Sequence, residues 1–163
     1  MHVVKNLPHT VHTEEHVWIP MSDGVRLAAR VWRATSSDVA PVPAVLEYIP
    51  YRRRDLTAVR DSMHHPYIAG HGYACVRVDL RGTGDSEGVL TDEYLEREQL
   101  DAEEILAWLA EQPWCDGQTS MMGLSWGGFA ALQVAARQPP SLGTIIISSF
   151  TDDRYGDDFH YMG

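Results

Sequence analysis

Short apolar runs alternate along this chain with helix-patterned segments of roughly 10 to 20 residues, and that alternation restricts the possible architectures more than any other feature. Residues 73–79, 119–124 and 144–149 are rich in Val, Ile and other apolar side chains without strict polar alternation. Strands of that kind are buried on both faces. Residues 56–69, 93–112 and 127–137 carry helical patterning between them. In residues 93–112, Leu95, Ala102, Ile105, Leu106 and Leu109 share one face while Glu96, Glu103, Glu104 and Glu111 lie elsewhere, so the acidic face is read as solvated. The pattern predicts a mostly parallel sheet flanked by helices on both sides, an α/β fold.

Before the first helix, residues 17–20 and 26–32 flank the turn signal Ser22-Asp23-Gly24 and read as an edge hairpin, and residues 44–51 read as a further strand. With 163 residues and 44% hydrophobic content, the chain suffices for one domain with one core. Residues 1–16 are polar and lack a face to bury, so a loose N-terminal arm is expected there, followed by the domain at 17–163.

Thirteen Lys and Arg against 23 Asp and Glu give a net charge of −10, which repels phosphate backbones and anionic lipid surfaces. Neither a nucleic acid nor a membrane is an expected partner. Cys75 and Cys115 are too few for a disulfide framework, and no leader pattern or apolar run of about 18 residues is present, so a cytoplasmic location is expected. His12 and His16 are four apart, but no carboxylate or thiol accompanies them and Pro8 with two threonines opposes a helix, so no metal site is expected.

Gly123-Leu124-Ser125-Trp126-Gly127 has the form G-x-S-x-G and falls between a predicted strand and a predicted helix. A nucleophile elbow needs that context, because a sharp turn exposes the serine hydroxyl while small flanking residues let strand and helix approach. The bland alternative is a glycine-rich turn with a helix-capping serine. Residues 79–88 also follow a strand, but a dinucleotide fingerprint would need glycine where Glu87 stands, so this loop is read as structural.

Met21-Ser22-Asp23-Gly24-Val25-Arg26-Leu27, Ile49-Pro50-Tyr51, Asp79-Leu80-Arg81-Gly82 with Ser86-Glu87-Gly88, Trp114-Cys115-Asp116-Gly117 and Gly123-Leu124-Ser125-Trp126-Gly127-Gly128 occur in that order. Together they resemble the cocaine esterase and X-Pro dipeptidyl-peptidase group of α/β-hydrolases, over about residues 17–163. The resemblance implies a serine hydrolase acting on ester or X-Pro peptide bonds of small substrates, with no cofactor and no metal. It implies Ser125 as nucleophile, the backbone N–H of Trp126 as one oxyanion donor and the Tyr51 hydroxyl as the second.

Such chemistry also needs an acid and a His after the serine. Only 38 residues follow Ser125, and His160, Asp152, Asp153, Asp157 and Asp158 match no catalytic position of the family. The fold expected is therefore an incomplete α/β-hydrolase, ending where a helical cap would begin and lacking the later strands. The competing expectation is a catalytically incompetent fragment that folds only with a complementary segment or associates with itself through its last, exposed strand.

Overall fold

The computed structural model describes residues 6–157. Its elements are β1 (Val11–Pro20), β2 (Arg26–Ala34), a 3₁₀ turn (Thr35–Asp38), β3 (Val42–Ile49), α1 (Ala58–Ala69), β4 (Ala74–Asp79), α2 (Glu96–Ala110), β5 (Cys115–Leu124), α3 (Trp126–Ala136), β6 (Leu142–Ser148) and α4 (Arg154–Asp157). The strands form one sheet in the order β1-β2-β4-β3-β5-β6. The β1–β2 hairpin joins antiparallel, and β4, β3, β5 and β6 run parallel to one another.

Side-chain alternation assigns the two faces. Ala44, Leu46 and Tyr48 of β3 and Ala74, Val76 and Val78 of β4 join Ala102, Ile105, Leu106 and Leu109 of α2 and Ala131 and Val134 of α3 in the main core. Val45 and Cys75 point the other way, toward Trp32 and Ala69 on the α1 side. The odd positions of these two strands also carry Glu47 and Arg77, both buried and opposite each other in the β3–β4 register.

Charges in a sheet covered on both faces must be paired. Here α1 supplies the partners. His65 Nε2 lies 3.0 Å from Glu47, and Arg77 Nε lies 3.4 Å from Asp61. Arg60 reaches both Glu47 and Asp61. Burial works to raise the Glu47 carboxyl, but the bond with His65 and the charges of His65, Arg60 and Arg77 outweigh it and hold it below the usual carboxylate range. The two cysteines are free and buried, and burial pushes the Cys75 thiol up to about 12.

The hairpin starts earlier than its hydropathy suggested. β1 begins at Val11, inside the stretch expected to be a loose arm, and pairs Val11 with Ala34 and His12 with Arg33. An edge strand needs no apolar face when its side chains find cross-strand partners. Glu14 binds Arg33, and Glu15 binds Arg30.

Candidate active site

The carboxyl ends of β3, β4 and β5 lie along one edge of the sheet, the edge at which open α/β sheets place their sites. Ser125 sits there, between the last residue of β5 and the first of α3, with its side chain exposed. Its backbone has φ 56° and ψ −115°, a conformation that costs a non-glycine residue on the order of 1–3 kcal/mol. The surroundings impose it. Ser125 N–H donates to Ser148 O of β6 at 3.0 Å, while Ser125 O accepts from Gly128 N and Phe129 N at 2.8 and 3.0 Å. The serine side chain caps no helical N–H, so the capping role weighed above is not the one it plays.

The flanking glycines follow from the same geometry. A Cβ on Gly123 would lie 2.1 Å from the carbonyl carbon of Gly127, and one on Gly127 would lie 2.8 Å from Ile49 Cγ2. At Gly123 the strand meets the helix backbone directly and at Gly127 the helix meets the buried Ile49 side chain of β3, which gives the G-x-S-x-G spacing its physical reason.

Trp126 is the first residue of α3, so its backbone N–H has no acceptor within its own helix. Its half-buried indole donates from Nε1 to Glu98 Oε1 at 2.9 Å. Glu98 Oε2 accepts the backbone N–H of Tyr94 at 3.1 Å. Tyr94 has φ 56°, and its ring packs on Trp126 with centroids 4.7 Å apart. Burial raises the Tyr94 hydroxyl to about 12 and also raises the Glu98 carboxyl, the latter against the bonds from Trp126 and Tyr94. Arg154 lies over both the Tyr94 and Phe129 rings.

Tyr51 follows β3, the strand next to β5, and is half-buried at the same edge. The chain after it is firmly held. Arg53 is fully buried, with its backbone N–H on Asp79 at 2.8 Å and its guanidinium on Asp85 and the Glu15 carbonyl.

The 79–88 loop ties to the hairpin and to α2. Glu87 accepts from the backbone N–H and the guanidinium of Arg26, and Arg81 bridges Asp101 and Asp23. Glu87 thus has a structural partner where a fingerprint glycine would have faced a pyrophosphate.

His64 borders a groove with Gly123 and Leu124 on the α1 side. His65 is buried against Glu47. Glu47, Asp61 and His65 place three ligand-type atoms within 4.8 Å of one another, but the Arg60 and Arg77 guanidiniums already neutralise that cluster, which makes it a charge network rather than a cation cage. His16 faces the Arg53 guanidinium, 2.6 Å from Nδ1. Asp153 and Asp157 bind the turn around α4 through Gly156 N and Thr151 Oγ1. Asp158 and His160 fall outside the described residues.

Sequence reading missed Glu98 and Tyr94. The signal for Glu98 was present: it falls on the Ala102–Ile105–Leu109 stripe of α2, where an acidic residue must be buried.

This sheet order, with a strained serine between strand and helix at the carboxyl edge, defines an α/β-hydrolase fold. Residues 23–163 match the family of X-Pro dipeptidyl-peptidases (S15 family), and the chain belongs to that family. It is 36% identical over 141 residues to a cocaine esterase of Rhodococcus sp. (strain MB1 Bresler), an alignment covering 86% of this chain and 24% of that protein. Among solved structures it is similar to a CocE/NonD family hydrolase from Staphylococcus aureus, with a TM-score of 0.70 and 24% identity over 82% of this chain and 27% of that one. An aminopeptidase from a marine sediment Thaumarchaeota archaeon gives 0.64 and 26% over 85% and 25%. The chain thus spans about a quarter of the length of these relatives. Among the described residues no helix is long and apolar enough to cross a membrane.

Proposed function

We propose that this chain supplies the nucleophile and both oxyanion donors of a serine hydrolase that cleaves ester or X-Pro peptide bonds in small substrates. The observation that carries the reading is the exposed Ser125, held at φ 56° in the β5–α3 turn with no capping bond to occupy its hydroxyl. In the reaction, Ser125 Oγ attacks the substrate carbonyl as its proton passes to a histidine base. The tetrahedral oxyanion is met by the Trp126 backbone N–H and the Tyr51 hydroxyl. The alcohol or amine then leaves with that proton, and water releases the acyl group.

The base and its acid are assigned to other segments of the intact hydrolase, since among the described residues no histidine bonds the Ser125 hydroxyl and the relatives are about four times longer. The family relationship and the turn geometry support the reading. A fluorophosphonate probe applied to the intact hydrolase should label Ser125, and Ser125→Ala should abolish both label and turnover. A label that persists in Ser125→Ala moves the nucleophile elsewhere.

A second reading concerns these 163 residues alone, as a catalytically incompetent fragment. The outer edge of β6 favours it: among the described residues β6 pairs only with β5, and Ile146 is 70% exposed. Such an edge invites strand pairing with a complementary segment or a second copy.

A further inference from the structure

We infer that Glu98 is a positioning residue for the oxyanion site, acting through the indole of Trp126. The inference rests on the function proposed above and adds to it a residue three helical turns before the end of α2.

Glu98 makes three bonds here, two through its carboxylate and one through its backbone. Oε1 accepts the Trp126 indole at 2.9 Å, and Oε2 accepts the Tyr94 backbone N–H at 3.1 Å. The backbone N–H of Glu98 itself donates to Leu95 O at 3.0 Å, which anchors the carboxylate at the start of α2. Glu98 is buried, so both oxygens are spent on these bonds with little competition from water. Burial of this kind is costly for a carboxylate on an apolar stripe, and a plain core would place Leu or Ala there.

The partner explains the placement. The indole and the proposed oxyanion donor belong to the same residue, so holding the indole restrains where the Trp126 Cα, and with it the peptide that carries its N–H, can move. Ser125 is strained, and the turn has no side-chain cap to steady it. The second bond of Glu98 holds Tyr94 in its own left-handed conformation, which lays the Tyr94 ring on the other side of Trp126. Trp126 is thereby gripped by a hydrogen bond at its edge and by a ring contact.

Positional errors near 1 Å at a reacting centre cost on the order of 10²-fold in rate. Glu98 should therefore act on the acylation step and leave substrate binding largely alone. The test is a double-mutant cycle in the intact hydrolase, using Glu98→Ala, Glu98→Gln, Trp126→Phe and the Glu98→Ala/Trp126→Phe pair. The readouts are the rate of fluorophosphonate labelling at Ser125 and the kcat and KM for an ester. Glu98→Ala should slow labelling and kcat by about 10-fold to 100-fold with KM within about twofold. Glu98→Gln, which keeps the volume and an acceptor oxygen, should label faster than Glu98→Ala. In the Trp126→Phe background, Glu98→Ala should lose most of its effect, because the bond to the indole is already gone and only the bond to the Tyr94 N–H remains to be lost.

Labelling of Glu98→Ala at the wild-type rate refutes the inference while leaving Ser125 as nucleophile. An undiminished effect in the Trp126→Phe background also refutes it, since Glu98 would then act by another route. Failure of the wild-type protein to label at Ser125 removes the nucleophile assignment and this inference with it.

Discussion

Replacing Gly123 by Ala should break the β5–α3 crossing, whereas the same change at Gly127 should cost less. At Gly123 the new methyl would lie 2.1 Å from the carbonyl carbon and 2.2 Å from the oxygen of Gly127. Ordinary carbon contacts lie near 3.5–4.0 Å, so the first turn of α3 would have to retreat from β5 by more than about 1 Å. That obstacle is backbone and cannot rotate away. Overpacking of this kind costs about 1–3 kcal/mol, and the rigid neighbour places it at the upper end. Loss of unfolded-state freedom returns about 0.4–1 kcal/mol, leaving a net loss of about 2 kcal/mol.

At Gly127 the obstacle is Ile49 Cγ2 at 2.8 Å, a methyl on the Cβ of a buried, β-branched side chain that must give way by some tenths of an ångström or more. The gain in helix propensity of about 1 kcal/mol offsets part of that adjustment. The contrast is read from urea-unfolding midpoints of the two variants in the intact hydrolase, together with the rate of probe labelling at Ser125. Gly123→Ala should unfold at lower urea and label on the order of 100-fold more slowly, because the Trp126 N–H moves with the helix. Equal midpoints and equal labelling for the two alanines would refute the argument that backbone contact dictates Gly123.

Tyr51→Phe should lower kcat by roughly 10² to 10³ with little change in KM, the usual cost of one oxyanion donor, and a variant with full kcat would reassign Tyr51 to packing. Residues 1–163 purified alone should associate with increasing concentration and show negligible ester turnover; a monomer turning over near the ordinary enzyme median of about 10 s⁻¹ would overturn the assignment of base and acid to other segments. Acid should destabilise the fold through Glu47. Its carboxyl is held below the ordinary range, so its contribution is present above that range and is lost as pH falls through the lowered value. Glu98 has the opposite sign, being raised, and its effect falls at and above the ordinary range. The thermal midpoint of wild type should therefore fall more steeply in acid than that of Glu47→Gln, and parallel curves would exclude Glu47 as the cause.

The strand and helix pattern, the serine turn and the family were legible because each rests on local signals: apolar runs, a glycine spacing and ordered motifs. What stayed hidden was long-range charge pairing. Arg53 stands within Arg52-Arg53-Arg54 and looks like its neighbours, yet it alone is fully buried, because Asp79 and Asp85 arrive from a loop 26 and 32 residues away. Glu47 and Arg77 interrupt strands that otherwise read as apolar, and only the β3–β4 register shows that they face each other. The polar start of β1 escaped notice for the same reason, its partners being Arg30 and Arg33 of β2. Glu98 was visible as an acidic residue on an apolar stripe, but its partner lies 28 positions further on.

The peptide N–H of Ser125 is tied to Ser148, the last residue of the outermost strand, rather than to anything in the centre of the sheet. The turn that carries the proposed nucleophile therefore takes its stiffness from an edge. Its bond to Ser148 joins the strained turn to the β5–β6 pairing, so a change that unpairs the end of β6 removes one of the three backbone hydrogen bonds that hold Ser125 in place.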